Sequence, residues 1–212
     1  MLARRYNVFD RLVGSFGNAL RVIGGDARAQ RMVPAPLASS PLTATEQHIS
    51  AELMRINRAG EIAAQALYQG QALAARNPSI RDAMARAAQE EIDHLAWTSQ
   101  RLRELNAHRS YLDPLWYAGS FAIGAAAGLA GDKWSLGFVA ETERQVSEHL
   151  YGHLTKLPAA DVKSRAILEQ MLVDETAHAT AAVRAGGREL PHPLRAIMRA
   201  TARIMTTLAR WI

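Results

Sequence analysis

Met84-Ala-Arg-Ala-Ala-Gln-Glu-Glu91-Ile-Asp-His94-Leu95 and Leu168-Glu-Gln-Met-Leu-Val-Asp-Glu175-Thr-Ala-His178-Ala179 decide how this chain is read. In the first, Met84, Ala87, Ala88 and Leu95 recur at helical period; in the second, Leu168, Met171, Leu172 and Ala179 do the same. Both apolar stripes are interrupted by Glu-x-x-His. Residues three apart on a helix share a face, so each motif turns a carboxylate and an imidazole toward the core. Glu90 and Asp93 flank the first motif off its stripe and are expected to be solvated.

Two further helices supply partners. On Leu136, Val139, Ala140, Val146, Leu150 and Leu154 the stripe is broken at Glu143, whereas Glu141 and Glu148 fall off that face. Glu61 stands beside the stripe of Leu53, Ile56, Ala63 and Leu67. Glu61 and Glu91 are 30 residues apart across Asn77-Pro78; Glu143 and Glu175 are 32 apart across Leu157-Pro158. If each break is a tight antiparallel turn, a rise of about 1.5 Å per residue brings the members of each pair to nearly one height. The chain thus reads as a helical hairpin repeated: Glu, turn, Glu-x-x-His, insertion, Glu, turn, Glu-x-x-His.

The spacing predicts helices over about 45–76, 79–107, 133–157 and 161–185, with no strand-like alternation. The fold class is all-α. With 49% hydrophobic and 21% charged residues, the composition is that of a globular chain. The absence of cysteine excludes disulfides, thiolate-held zinc, iron–sulfur clusters and thiol catalysis. Net charge is +5, but residues 1–38 hold six Arg against two Asp, and residues 184–212 six Arg against Glu189, so the middle is acidic. That pattern speaks against a nucleic-acid groove and for termini that meet an anionic surface. Three units are expected: a basic amphipathic extension at 1–38, a bundle at 39–190, and a basic amphipathic helix at 191–212. No signal-peptide core stands near the N-terminus; an Arg-rich mitochondrial presequence is the competing reading.

Within the bundle, residues 114–131 carry no charge. The preferred placement is at or in one membrane leaflet, lining a path for a greasy substrate; a membrane span and a core helix are the alternatives. Gly124 and Gly128 would allow close helix packing.

Four carboxylates in one core cost many kcal/mol unless they are neutralised. Glu61, Glu91, His94, Glu143, Glu175 and His178 suit two divalent cations, −4 against +4. Oxygen and nitrogen donors without thiolate favour iron or manganese and do not separate them. Ferritin-like di-iron and di-manganese bundles use this ligand set. His149 is expected to support a ligand or to be a partly buried histidine; His48, His108, His153 and His192 are expected at the surface or at helix ends. Tyr68 is expected in the core, with the reaction cavity as the alternative.

At these residues the chain resembles the ubiquinone-biosynthesis hydroxylases of the Coq7 family. The resemblance rests on Arg55-Ile-Asn-Arg-Ala-Gly-Glu61 through Gln71, Glu90-Glu91-Ile-Asp-His94-Leu, Glu141-Thr-Glu143-Arg-Gln-Val and Asp174-Glu175-Thr-Ala-His178, and spans roughly 43–190. Arg58 departs from it, where the family commonly has His. The resemblance implies a ferritin-like four-helix bundle holding two Fe ions on the six residues named, with O₂ as co-substrate and NADH as reductant. It implies a membrane-associated monooxygenase that hydroxylates the ring of a demethoxyubiquinol, a prenylated quinol. The expected place is peripheral, on the cytoplasmic side of a bacterial inner membrane, ahead of a mitochondrial inner membrane; a lipid-presenting protein partner and a homo-oligomer both fit. Another ferritin-like oxidase, a peroxide-handling protein and a non-catalytic iron-binding bundle remain as alternative readings.

Overall fold

The computed structural model describes residues 8–25, 28–34 and 40–212. Arg4, Arg5 and the side chains of Val8, Phe9, Arg11 and Leu12, part of the expected basic amphipathic extension, lie outside what is described. The described residues form helices α1 (Val8–Gly24), α2 (Ala44–Ala74), α3 (Pro78–Glu104), α4 (Asp113–Leu129), α5 (Asp132–Leu154), α6 (Val162–Arg184) and α7 (His192–Trp211), with no strand among them. The chain is all-α, as its periodicity requires.

Local chemistry sets the helix ends. Thr43 and Glu46 form a reciprocal capping box at the start of α2. Asn77 caps α3 through Ser79 N, with Pro78 in its first turn, which makes the α2–α3 break a tight hairpin. Asp161 caps α6 through Ser164 N and also accepts from Arg101 at 2.8 Å, fastening the second hairpin to α3. Gly131, at φ +109°, turns the chain from α4 into α5.

Helices α2, α3, α5 and α6 make the bundle, with hairpins α2–α3 and α5–α6 packed against each other. The core holds three apolar clusters: one, with Val22, Ile62, Ala66, Leu95 and Tyr117, joins α1 and α4 to α2 and α3, and the other two bracket the middle of the bundle. Of these two, one holds Met54, Trp97, Leu150 and Met171; the other holds Tyr68, Met84, Val139, Ala140 and Ala182. On every bundle helix the predicted polar residue falls between them: Glu61 between Met54 and Tyr68, Glu91 between Met84 and Trp97, Glu143 between Ala140 and Leu150, Glu175 between Met171 and Ala182. The matched heights inferred from spacing are therefore real.

Helix α4 lies along α2 at very short range. A Cβ at Gly124 would collide with the Leu67 carbonyl, one at Gly70 with the Phe121 carbonyl, and one at Gly128 would sit 2.7 Å from Ala74 Cβ. Buried Arg58 of α2 donates to Asp113 at the head of α4 and, at 2.7 Å, to Ser99 Oγ. Arg58 thus fixes the insertion and is not a partner of the metal-type cluster. Helix α7 docks on α2 and α5 through Arg210–Glu52 at 2.9 Å and Arg199–Glu141 at 3.5 Å. Among the described residues no helix is long and apolar enough to cross a membrane.

Candidate metal centre

All six residues singled out by the stripes and the hairpin spacing meet in the space between the two clusters that bracket the bundle. Glu61, Glu91, His94 and Glu175 can each bring one donor atom within 4.8 Å of the others; Glu91, Glu143, Glu175 and His178 do the same. The two groups share Glu91 and Glu175. Glu61 with His94, and Glu143 with His178, stand on opposite sides of that shared pair. All are buried except His178, whose side chain keeps 12% exposure.

The imidazoles face the carboxylates with Nδ1. His94 Nδ1 lies 3.0 Å from Glu175, 3.3 Å from Glu61 and 3.4 Å from Glu91. His178 Nδ1 lies 3.1 Å from Glu175 and 3.7 Å from Glu91. Each Nε2 meets a carboxylate from the opposite motif: Asp174 Oδ2 at 2.9 Å behind His94 and Glu90 Oε2 at 2.5 Å behind His178. A carboxylate behind an imidazole fixes ring orientation and tautomer and strengthens the other nitrogen as a ligand. Tyr68 donates to Glu143 Oε1 at 2.5 Å, so it belongs to both the core and the site.

The donor atoms fit cations because protein partners leave them over. Glu61 Oε2, both Glu91 oxygens, Glu143 Oε2, Glu175 Oε1 and His94 Nδ1 are buried without hydrogen bonds. Each such group costs roughly 1–3 kcal/mol. The electrostatics agree. Burial, then the neighbouring Glu175 charge, pushes the Glu91 and Glu143 carboxyls well above their ordinary range, and burial also raises Glu61. Burial alone would raise Glu175 as well, but the hydrogen bond from His178 and the close approach of His94 outweigh it and hold Glu175 at about 2. For His178, burial is overcome by the Glu175 hydrogen bond and the surrounding carboxylates, which lift it to about 10. A cluster that strains to keep protons is short of positive charge, and two divalent ions would supply it.

The surroundings include contacts that helical phase does not report, and at Asp93 they overturn the expected solvation. Asp93 is buried, accepting from Gln30 N at 2.6 Å and Arg31 Nε at 2.8 Å, because residues 28–34 cross over its face of α3. Glu90 is half exposed yet held against His178. Glu141, off its stripe, is buried beneath α7 by Arg144, Gln145 and Arg199. His153 lies in the last turn of α5 as expected, but is buried and donates to Asn57 Oδ1 at 2.8 Å; His149 is partly buried, as its alternative reading had it, and packs on His153 at a centroid distance of 3.9 Å. One residue escaped notice in the sequence: Gln65, one turn beyond Glu61, is fully buried with neither amide atom hydrogen-bonded. Its phase, four residues from Glu61 and three from Tyr68, was the available signal.

Comparison with known proteins agrees with this geometry. The family model described as "Ubiquinone biosynthesis protein COQ7" matches residues 48–209. Among curated relatives, the 3-demethoxyubiquinol 3-hydroxylase of Nitrosospira multiformis is 56% identical over 204 residues, covering 96% of this chain and 98% of the relative. The protein of the same name from Nitrosococcus oceani is 55% identical over 214 residues, covering both chains completely. That from Polynucleobacter necessarius is 57% identical over 202 residues, covering 94% and 97%. A family match running through all four bundle helices, with relatives above half identity along nearly the whole length, places the chain in the COQ7 family of ubiquinone biosynthesis proteins.

Proposed function

We propose that this chain hydroxylates the ring of a demethoxyubiquinol, the reaction its relatives' names state for those proteins, at a centre of two Fe ions. The observation that carries the reading is the pair of donor groups sharing Glu91 and Glu175, with their inward atoms unpartnered. Glu61 and His94 would hold one ion, Glu143 and His178 the other, and Glu91 and Glu175 both. When bound and reduced by two electrons from NADH, such a pair activates O₂, one oxygen atom entering the ring and the other leaving as water. The protein's part is placement. Asp174 and Glu90 fix the imidazoles, Tyr68 holds Glu143, and the two bracketing apolar clusters keep bulk water from the ends of the site.

Substrate access is proposed from the α2–α5 side, where a narrow crevice is lined by Leu67, Tyr68, Val139, Thr142 and Glu143. Peripheral attachment to the cytoplasmic face of a bacterial inner membrane is part of the same reading. Phe16 and Leu20 of α1, Leu115 and Leu129 of α4, and Ile197, Ile204 and Trp211 of α7 are exposed, with arginines interspersed on α7. Apolar side chains flanked by arginine suit an anionic lipid interface. Residues 1–38 and 191–212 would serve as attachments of the 39–190 bundle, and a lipid-presenting partner or a second copy would meet the same faces.

Elemental analysis after anaerobic Fe(II) reconstitution, beside Glu175→Ala, tests the centre. About two irons per chain are expected from the four-carboxylate charge balance, sharply fewer in the variant, with helicity unchanged. Stoichiometric iron without turnover of a demethoxyubiquinol would leave an iron-binding bundle; no iron in the wild type would overturn the reading.

A further inference from the structure

The two imidazoles are backed by carboxylates in unequal circumstances. Behind His178, Glu90 is 51% exposed and, among the described residues, its only ion pair is with that histidine. Behind His94, Asp174 is shared. Arg31, in the segment between α1 and α2, places its NH2 group 2.9 Å from Asp174 Oδ2, the same oxygen that faces His94 Nε2, and 3.4 Å from that nitrogen itself. This is a built position. Arg31 Nε donates to Asp93 Oδ2 at 2.8 Å, Gln30 N donates to Asp93 Oδ1 at 2.6 Å, and Trp97 Nε1 donates to the Arg31 carbonyl at 3.3 Å. The guanidinium carbon stands 4.8 Å over the Trp97 ring, and that ring packs against His94 at 5.4 Å.

A carboxylate accepting from an imidazole makes its other nitrogen a stronger donor to a metal. A guanidinium on the same oxygen withdraws that support and adds a positive charge behind the imidazole, 3.4 Å from its Nε2. Both effects act at one end of the cluster. We propose that Arg31 is a positioning residue that makes the two metal positions inequivalent, weakening the ion held by Glu61 and His94 relative to the ion held by Glu143 and His178. The inference rests on reading the cluster as a two-metal centre. It also ties the segment leading from α1 to the chemistry of the site, since a shift of residues 28–34 would change the charge behind His94.

The test is an anaerobic Co(II) titration of the full chain against a competing chelator, followed in the visible spectrum. Wild type is expected to take two ions with distinct affinities. Arg31→Gln should tighten the weaker step by about 10-fold and leave the stronger one in place, while Arg31→Lys, which keeps the charge, should retain most of the gap. Glu90→Gln approaches from the other end and should weaken the stronger step, narrowing the gap even where an Arg31 variant folds poorly. Two ions bound with wild-type affinities in Arg31→Gln and in Glu90→Gln would overturn the assignment while leaving the metal centre standing. Failure of wild type to bind Co(II) would remove the centre and this inference together.

Discussion

Glu90 and Asp174 each reach past their own motif to the histidine of the other, Glu90 to His178 Nε2 at 2.5 Å and Asp174 to His94 Nε2 at 2.9 Å. Each is the residue immediately before a Glu shared by both donor groups. One five-residue unit, acid-Glu-x-x-His, therefore supplies a shared carboxylate, an imidazole and the support for the opposite imidazole. Two copies on antiparallel hairpins complete each other, which is why neither would suffice alone. Asp174→Asn keeps the shape but weakens the acceptor behind His94. Its metal affinity by chelator competition is expected to fall roughly 10–100-fold with little change in helicity. Unchanged affinity would show that the contact does not act through the imidazole.

Helix α4 contains two glycines with opposite requirements. Gly124 faces the Leu67 carbonyl with no room for a methyl, whereas a Cβ at Gly119 would meet nothing within 4 Å. Gly124→Ala must push α4 off α2 and is expected to destabilise by about 1–3 kcal/mol. Gly119→Ala should stabilise by about 0.5–1 kcal/mol through backbone entropy alone. Urea midpoints of the two variants decide this, and equal shifts would mean that α4 is not seated as closely as described.

These contacts also mark where the sequence was legible. Interrupted stripes located Glu91, His94, Glu143, Glu175 and His178, because helical phase reports which residues face the partner helices of a bundle, and matched spacing across the hairpin turn added Glu61. Phase says nothing about what covers the other faces. Asp93 and Glu141 point away from their stripes, and Asp93 was expected to be solvated, yet residues 28–34 lie over one and α7 over the other. His153 does lie in the last turn of α5, but it is buried there because Asn57 of α2 reaches it across 96 positions of chain. Arg58 and Asp113 were separately visible as a departure from the family and as the border of an uncharged run. Their pairing is a tertiary fact that neither position discloses.

The His149–His153 pair makes stability depend on pH. Burial lowers His149 to about 4, helped by the Lys156 charge; burial lowers His153 to about 3, helped by His149 and Lys156. An unfolded histidine titrates near 6.5, so between about 6.5 and 4 the unfolded chain binds more protons and stability rises with pH. The contribution is complete above about 6.5 and is lost as pH falls toward the folded values. His149→Leu removes one of these groups, and its Nε2 has no hydrogen bond to lose. The variant's advantage over wild type should therefore grow by on the order of 2 kcal/mol between pH 7 and pH 4.5. Parallel stability curves for the two proteins would refute the buried neutral histidine.

Arg58 and Asp113 are buried at 1% and 2% exposure and pair across α2 and α4. Burial acts against both charges, lowering the Arg58 guanidinium and raising the Asp113 carboxyl, and each is the other's chief compensation. Removing one partner leaves an uncompensated charge in the interior, whereas removing both removes the desolvation cost with the attraction. Asp113→Leu is thus expected to destabilise by about 3–5 kcal/mol, and Arg58→Met similarly. The double variant Arg58→Met/Asp113→Leu should recover most of that loss. Because neither residue touches the carboxylate cluster, the double variant should also bind metal as wild type does. A double variant as unstable as the singles would mean that the Arg58–Ser99 hydrogen bond, and not the ion pair, anchors the head of α4.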